Sequence, residues 1–184
     1  MNKIFKEIGF TRLIKYFIFG LWEFVFRLLP FSPLRVFWLK VGGASIDKNC
    51  VIEKIEFFNL DRTGLKGLTI GNQCYLGPLA LLDLAGQITL GNQVTVSPKV
   101  TILSHHSVGF SNHPLIKLYP KQIHHTVIKS GSVLGVNSLI LPGIIIGKES
   151  MVAGGAVVRQ SVSSRKLVAG VPAKVKKSLH EKNS

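Results

Sequence analysis

Five of the chain's six histidines, His105, His106, His113, His124 and His125, fall inside one stretch, TILSHHSVGFSNHPLIKLYPKQIHHTVIKSG, residues 101–131. An imidazole titrates near neutral pH, so it can take a proton from an attacking hydroxyl and return it to a leaving group. His105 and His106 follow Ile102 by three and four residues, at the near end of the stretch. His113 lies in its middle, and His124 and His125 lie at its far end, where a local packing role is expected. His180 stands in a basic tail and is expected to be solvated. A carboxylate, Asp83 in LLDLAG, precedes the stretch. Cys50 and Cys74 form neither a disulfide framework nor a CxxC metal pair, so the cytosol is the default compartment.

The elements that would position these residues are set by a repeat. Aliphatic residues recur every six positions at Ile70, Leu76, Leu82 and Ile88, and again at Leu90, Val96 and Ile102. After the histidine stretch the series resumes at Ile128, Leu134, Ile140, Ile146, Val152 and Val158; Ile46 and Ile52 begin it. Four residues beyond such positions stand small or apolar residues, among them Cys50, Cys74, Ala80, Ser132 and Ala156. A period of six matches neither a helix nor an alternating strand. It matches a prism of short flat strands, with the aliphatic residue on the axis and the small residue near a corner. Three faces make one coil of about 18 residues, and stacked coils line up their aliphatic side chains. Gly71, Gly77, Gly91, Gly135 and Gly147 directly follow aliphatic positions, where they are expected to let the chain turn. Both cysteines fall on the small inward position and read as core filler.

The expected class is all-β with flanking helices: a parallel β-helix of hexapeptide repeats with a protruding loop, preceded by N-terminal helices. Its expected parts are an N-terminal amphipathic helical segment over 1–40, the β-helix over 41–162 with an extruded loop at 103–127, and an exit motif with a basic tail over 163–184. A loop of that size inside a compact domain is usually functional. Counting one coil plus two extra residues from Leu82 to Ile102 stacks Asp83 near Leu103, beside the histidines.

The stretch ILPGIIIGKESMVAGGAVV followed by LVAGVPAKVKK resembles the coil-and-exit sequence of the hexapeptide-repeat acyltransferases. The chain looks most like the sugar O-acetyltransferases related to maltose and galactoside acetyltransferase, over residues 40–177. The resemblance implies a left-handed parallel β-helix, and a homotrimer in which the loop reaches a neighbouring subunit. It also implies a histidine, where the loop leaves the coil, that acts as general base in acetyl transfer from acetyl-CoA to a sugar hydroxyl. The family's base is followed eight residues later by a Pro-apolar pair. Pro114-Leu115 stands eight after His106, so His106 is the first choice and His105 the second. Asp83 resembles the family's acceptor-contacting Asp; orienting an imidazole or making a corner turn are its other readings. The family's acceptor-contacting Asn appears here as Pro78, which leaves the identity of the sugar open. For the coenzyme, the resemblance implies the backbone N–H of Val136 at the oxyanion, Gly154 at the pantetheine arm, and Arg159, Lys174 and Lys177 near the phosphates. No metal is implied. The main rivals are an amino-sugar N-acetyltransferase and an inactive β-helix scaffold. A γ-type carbonic anhydrase shares the β-helix, but its pair of histidines five residues apart is absent.

The formal net charge is +14 although only 17% of residues are charged, so an anionic partner is expected. The interleaved aromatic and basic pattern of a nucleic-acid surface is missing from the β-helix. At the N-terminus, LIKYFIFGLWEFVFRLLP is strongly apolar but broken by Lys15, Glu23 and Arg27. It suits neither a span nor a signal peptide. It suits a helix lying on a membrane, with Phe5 and its aromatic neighbours in the bilayer and Lys3, Lys6, Arg12, Lys15 and Arg27 at headgroups. Packing on its own domain or on another subunit is the alternative. The expected location is cytoplasmic, peripheral on the inner face of the cytoplasmic membrane, with a lipid-linked glycan as one acceptor that suits it. Because a β-helix has its own core, residues 1–30 are expected to be dispensable for folding it.

Overall fold

The computed structural model describes residues 10–179; Lys3, Phe5, Lys6 and His180 lie outside the described residues. Three parallel sheets form the walls of a left-handed prism. The first face stacks Ser45–Ile46, Leu68–Ile70, Ile88–Leu90, Thr126–Ile128 and Ile145–Ile146. The second stacks Val51–Ile52, Tyr75–Leu76, Thr95–Val96, Val133–Leu134, Met151–Val152 and Lys166–Ala169. The third stacks Glu56–Phe58, Leu81–Asp83, Thr101–Ile102, Leu139–Ile140 and Val157–Val158. Register is kept from coil to coil: Leu82 pairs with Ile102, Ile102 with Ile140, and Ile140 with Val158. Each of these four is at most 1% exposed. Full burial of one such side chain stabilises by about 1.5–3 kcal/mol, so the ladders supply the driving force that two-residue strands lack on their own.

The corners turn by a different device from the one expected. Non-glycine residues take the left-handed conformation there: Asn49, Gln73, Gln93, Asn137 and Glu149 have φ between 55° and 58°. That conformation costs about 1–2 kcal/mol in a residue with a Cβ. A hydrogen bond to the adjacent coil offsets it: Gln73 N–H donates to Lys48 O, Gln93 to Asn72 O, Asn137 to Pro98 O and Glu149 to Ser130 O. The glycines after the aliphatic positions serve another purpose. A Cβ on Gly77 would lie 2.7 Å from Pro98 N, and one on Gly135 would lie 2.5 Å from Gly154 N. They are there because successive coils touch backbone to backbone.

Both ends of the prism are covered. Helix α1 (Phe10–Leu28) and helix α2 (Ser32–Val41) close the N-terminal end. Phe26 and Leu39 are fully buried in the same core as the ladders, with Phe19, Trp22 and Trp38 packed against it. Trp22 stacks on Phe26 and Trp38, and Phe57 meets Trp22 and Phe26 edge-on. The expectation that residues 1–30 are dispensable therefore needs correcting, since α1 is the lid of the core. Arg35, 3% exposed, donates to Leu29 O, Pro30 O and Ile52 O and pairs with Glu53. It thereby ties the link between α1 and α2 to Ile52 O of the first coil. At the other end Lys174–Ser178 folds back antiparallel on Lys166–Ala169 and covers the sheet edge.

The first coil carries an insertion. After Phe58 the chain makes a short helix α3 (Leu60–Thr63) and a 3-10 turn (Gly64–Gly67) before rejoining the first face at Leu68. Thr63 Oγ1 donates to Leu84 O, which ties the insertion to the coil above.

Candidate active site

The chain leaves the prism after Ile102 and rejoins it at Thr126, while the coils on either side keep their pairing. The base of the excursion is a two-pair antiparallel ladder, His105 with Ile123 and His106 with Gln122. Thr126 Oγ1 donates to Leu103 O and His124 N–H donates to Ser104 O, so exit and return are clamped together. His105 and His106 are thus held on regular backbone where the loop begins.

Asp83 ends the third-face strand of the coil below and is fully buried. Its Oδ2 accepts from His105 Nδ1 at 2.6 Å, His105 N–H at 3.0 Å and Ser104 N–H at 2.9 Å. Its Oδ1 accepts from Asn59 Nδ2 at 2.8 Å and Ala85 N–H at 3.2 Å. Burial pushes the carboxyl's pKa up, but the hydrogen bonds from His105, Asn59 and Ser104 outweigh it and hold the pKa below the ordinary value. The group is therefore a carboxylate at neutral pH. A carboxylate only accepts, so His105 presents Nδ1–H to it, and in the neutral ring Nε2 keeps the lone pair. The His105 side chain is 13% exposed. Ser104 Oγ locks the corner by donating to Asp83 O while accepting from Gly86 N–H at 2.8 Å.

The structure brings Asp83 and His105 together and leaves His106 outside the pair. The His106 ring is exposed and lies 6.4 Å from that of His124, with no carboxylate contact among the described residues. The expectation that Asp83 meets acceptor hydroxyls gives way for a physical reason: a walled-in carboxylate with five N–H donors positions the imidazole and has no free edge for a ligand. The other loop histidines make local bonds. His125 Nε2 meets Thr89 Oγ1 at 2.8 Å, His124 Nε2 meets Gln122 Oε1 at 3.2 Å, and His113 Nδ1 accepts from Leu115 N–H at 3.1 Å. Among the described residues no group of three or more His, Cys, Asp or Glu could hold a metal ion. Cys74 is in the core, where burial pushes its thiol up to about 11, and Cys50 Sγ donates to Gly71 O.

Asn59, Phe58 and Ser104 were not among the residues singled out from the sequence. The first two sit where the six-residue period lapses between Ile52 and Ile70, the one signal that marked them. Asn59 itself is left-handed, with φ 56°, which swings its amide onto Asp83 and to 3.5 Å from His105 Nε2.

The residues expected to meet the coenzyme lie elsewhere. Val136 follows the second-face strand Val133–Leu134, and Gly154 and Gly155 follow Met151–Val152 one coil on, at the corner between second and third faces. The dyad stands at the corner between third and first faces. The width of the third face separates the two sets within one chain. At the Val136 corner the chain offers what a narrow arm needs. Val136 N–H has no intrachain partner among the described residues, its carbonyl accepts from Gly155 N–H, and a Cβ on Gly155 would meet nothing within 4 Å. Arg159, Lys174 and Lys177 are exposed near the C-terminal end of the prism.

No protein-family model matches the chain. Galactoside O-acetyltransferase of Lactococcus lactis subsp. lactis is 29% identical over 145 residues, 78% of this chain and 67% of that protein. Serine acetyltransferase of Buchnera aphidicola is 32% identical over 101 residues, 55% of this chain, which spans only 35% of that relative's length. Among solved structures, a galactoside acetyltransferase in complex with coenzyme A matches with a TM-score of 0.80 at 20% identity, covering 95% of this chain and 85% of that one. A hexapeptide-repeat acetyltransferase from Vibrio cholerae O1 biovar eltor, complexed with acetyl coenzyme A, matches with a TM-score of 0.75 at 22% identity, covering 95% and 90%. In repeat, coil and neighbours alike, the chain is a left-handed hexapeptide-repeat β-helix with the fold of the hexapeptide-repeat acetyltransferases.

Proposed function

We propose that this protein transfers an acetyl group from acetyl-CoA to a hydroxyl of a sugar or polysaccharide precursor, with His105 as the general base. The observation that carries the reading is the Asp83–His105 pair, set where the coil is interrupted and leaving Nε2 for a substrate. Nε2 takes the hydroxyl proton as the oxygen attacks the thioester carbonyl. The tetrahedral adduct places its negative charge on the former carbonyl oxygen. As it collapses, the C–S bond breaks and the imidazolium returns the proton to the departing thiolate. Asp83 stabilises the imidazolium and fixes the tautomer. The Val136 N–H of a neighbouring subunit is the proposed oxyanion donor, because in one chain it lies a full face away from His105. His106, first choice by count, becomes a loop residue on this reading. Coenzymes bound by the structural neighbours and the sugar acetyltransferases among the relatives support the donor and acceptor classes.

The test is incubation of the protein with acetyl-CoA, a thiol reagent and a panel of free sugars, nucleotide sugars and lipid-linked glycans. Thiol release that requires an acceptor, and a product cleaved by mild alkali, would support O-acetylation. An alkali-stable amide would move the reading to an amino sugar. No release with any acceptor would remove the enzyme reading.

We further propose peripheral attachment to the cytoplasmic face of a membrane through α1 and α2. No helix among the described residues is long and apolar enough to cross a membrane. Yet α1 carries two opposed apolar stripes. Phe19, Trp22 and Phe26 face the core, while Phe17, Leu21, Phe24 and Leu28 face water at 75%, 58%, 60% and 65% exposure. The strong positive net charge complements anionic headgroups and favours a bilayer over a second copy as the cover.

A further inference from the structure

Phe58 is the last residue of its strand, and its Cα pairs in register with that of Asp83 one coil above. Its neighbour Phe57 takes the inward side and is buried, so Phe58 is turned outward and is 52% exposed. The ring centroid lies 6.0 Å from that of His105, tilted by 43°. What sets this half-exposed ring apart from other exposed apolar side chains is its place beside the poised base.

The chain that bears the ring is held at both sides. Asn59, next in the chain, is fixed to Asp83 by its amide. The segment beyond it is pinned by Thr63 to the coil above. It is also backed by α1, where Phe19 Cζ would stand 3.3 Å from a Cβ on Gly64. The insertion in the first coil therefore braces a wall beside His105 whose exposed face is the Phe58 ring, at the end of the strand before the insertion, and whose inner edge is the Asn59 amide.

We propose that Phe58 is the stacking platform for the acceptor, and that the acceptor is a pyranose ring presenting a continuous C–H face. This deepens the sugar reading above and rests on it. The negative face of an aromatic ring attracts the polarised C–H bonds of a sugar's apolar face. A pyranose laid on Phe58 would keep its hydroxyls at its edge, where one can point at His105 Nε2. A small flexible hydroxy compound such as serine has no face to stack and would gain nothing from Phe58.

The experiment uses the full chain with methyl β-D-galactopyranoside, methyl β-D-glucopyranoside, methyl α-D-mannopyranoside and L-serine as probes. Saturation-transfer NMR should place the strongest signal on ring C–H protons of at least one pyranoside. Phe58→Ala should lose that signal and raise the acceptor KM about tenfold, with kcat within about threefold, while Phe58→Tyr should keep both near the starting values. The KM for acetyl-CoA and the mass by light scattering should not move. If Phe58→Ala leaves signal and acceptor KM unchanged while His105→Ala is inactive, the platform is overturned and the enzyme reading stands. If Phe58→Ala dissociates the assembly, the ring is an interface residue and the platform is overturned. If the unsubstituted protein neither binds nor acetylates any pyranoside but acetylates serine, the platform and the sugar reading fall together.

Discussion

At the scale of single residues, two adjacent histidines differ only in what lies beneath them. His105 stands over Asp83 and His106 stands over solvent. A base whose tautomer is fixed by a buried carboxylate should carry the rate. His105→Ala is expected to lower kcat by about 10²-fold or more with the KM for acetyl-CoA little changed, and His106→Ala to stay within a few-fold of the parent. The reverse ranking, measured by steady-state kinetics, would restore His106. Asp83 also makes a prediction about acid. Its carboxyl pKa is lower in the folded chain than the ordinary value of 3.8, so its contribution to stability is present above the unfolded value and disappears as pH falls through the folded one. Melting curves across the acid range should show a gap between the parent and Asp83→Asn that is constant above about pH 5 and narrows below about pH 4. A gap independent of pH would mean that the carboxyl titrates alike in the folded and unfolded chains, so that the fold does not lower its pKa.

At the scale of elements, the coil is limited by how closely backbones approach. Gly77→Ala puts a Cβ 2.7 Å from Pro98 N, with backbone on the far side that cannot yield without shifting a coil. It should cost about 1–3 kcal/mol of stability, the range for overpacking. Gly91→Ala should behave likewise, since its Cβ would lie 2.6 Å from Ser130 N. Denaturant midpoints near the parent's for both would place the glycines' role in the turn after all. The period of six made these positions legible in the sequence, because an axis-facing ladder leaves a regular trace. Their reason was not legible: a repeat does not reveal whether a glycine is wanted for its φ or for its missing Cβ. The same limit explains the choice between His105 and His106. Spacing along the chain places both at the loop exit, but only the stacking of Asp83 one coil below, with Asn59 reaching across from an aperiodic insertion, distinguishes them. The double-sided character of α1 was half legible. Its apolar content stood out, yet which aromatic residues close the core depends on Trp38 and Phe57, which pack against them from other elements.

At the scale of the whole molecule, the proposed site is incomplete in one chain, because His105 and Val136 stand at different corners. A homotrimer with three sites between subunits closes it, and such a head-to-tail ring has a testable arithmetic. His105→Ala and a groove-blocking Gly154→Trp should each be inactive alone. Refolded together at equal amounts, they should regain about a quarter of parental activity, since a site needs one intact residue from each neighbour. No recovery, with trimers confirmed by light scattering, would put both halves of the site on one chain.

The same ring would carry three copies of the outward stripe of α1, and three weak membrane contacts joined in one particle act together. Removing α1 would not test this, because Phe26 belongs to the core. Phe17→Glu with Phe24→Glu is the cleaner change: both side chains are exposed, at 75% and 60%, and both lie on the face away from the core. The parent should float with vesicles containing anionic lipid, less so as salt is raised, and poorly with zwitterionic vesicles. The double variant should keep its melting temperature and thiol-release activity on a soluble acceptor, yet remain in the dense fraction. Equal flotation of parent and variant would mean that the stripe does not touch lipid. A parent that ignores vesicles, with a variant whose particle mass falls by light scattering, would make the stripe a contact between subunits. Flotation lost only in the variant would place α1 between bilayer and active site, its outer face on lipid and its inner face, through Phe19, against the insertion that follows Phe58 and Asn59.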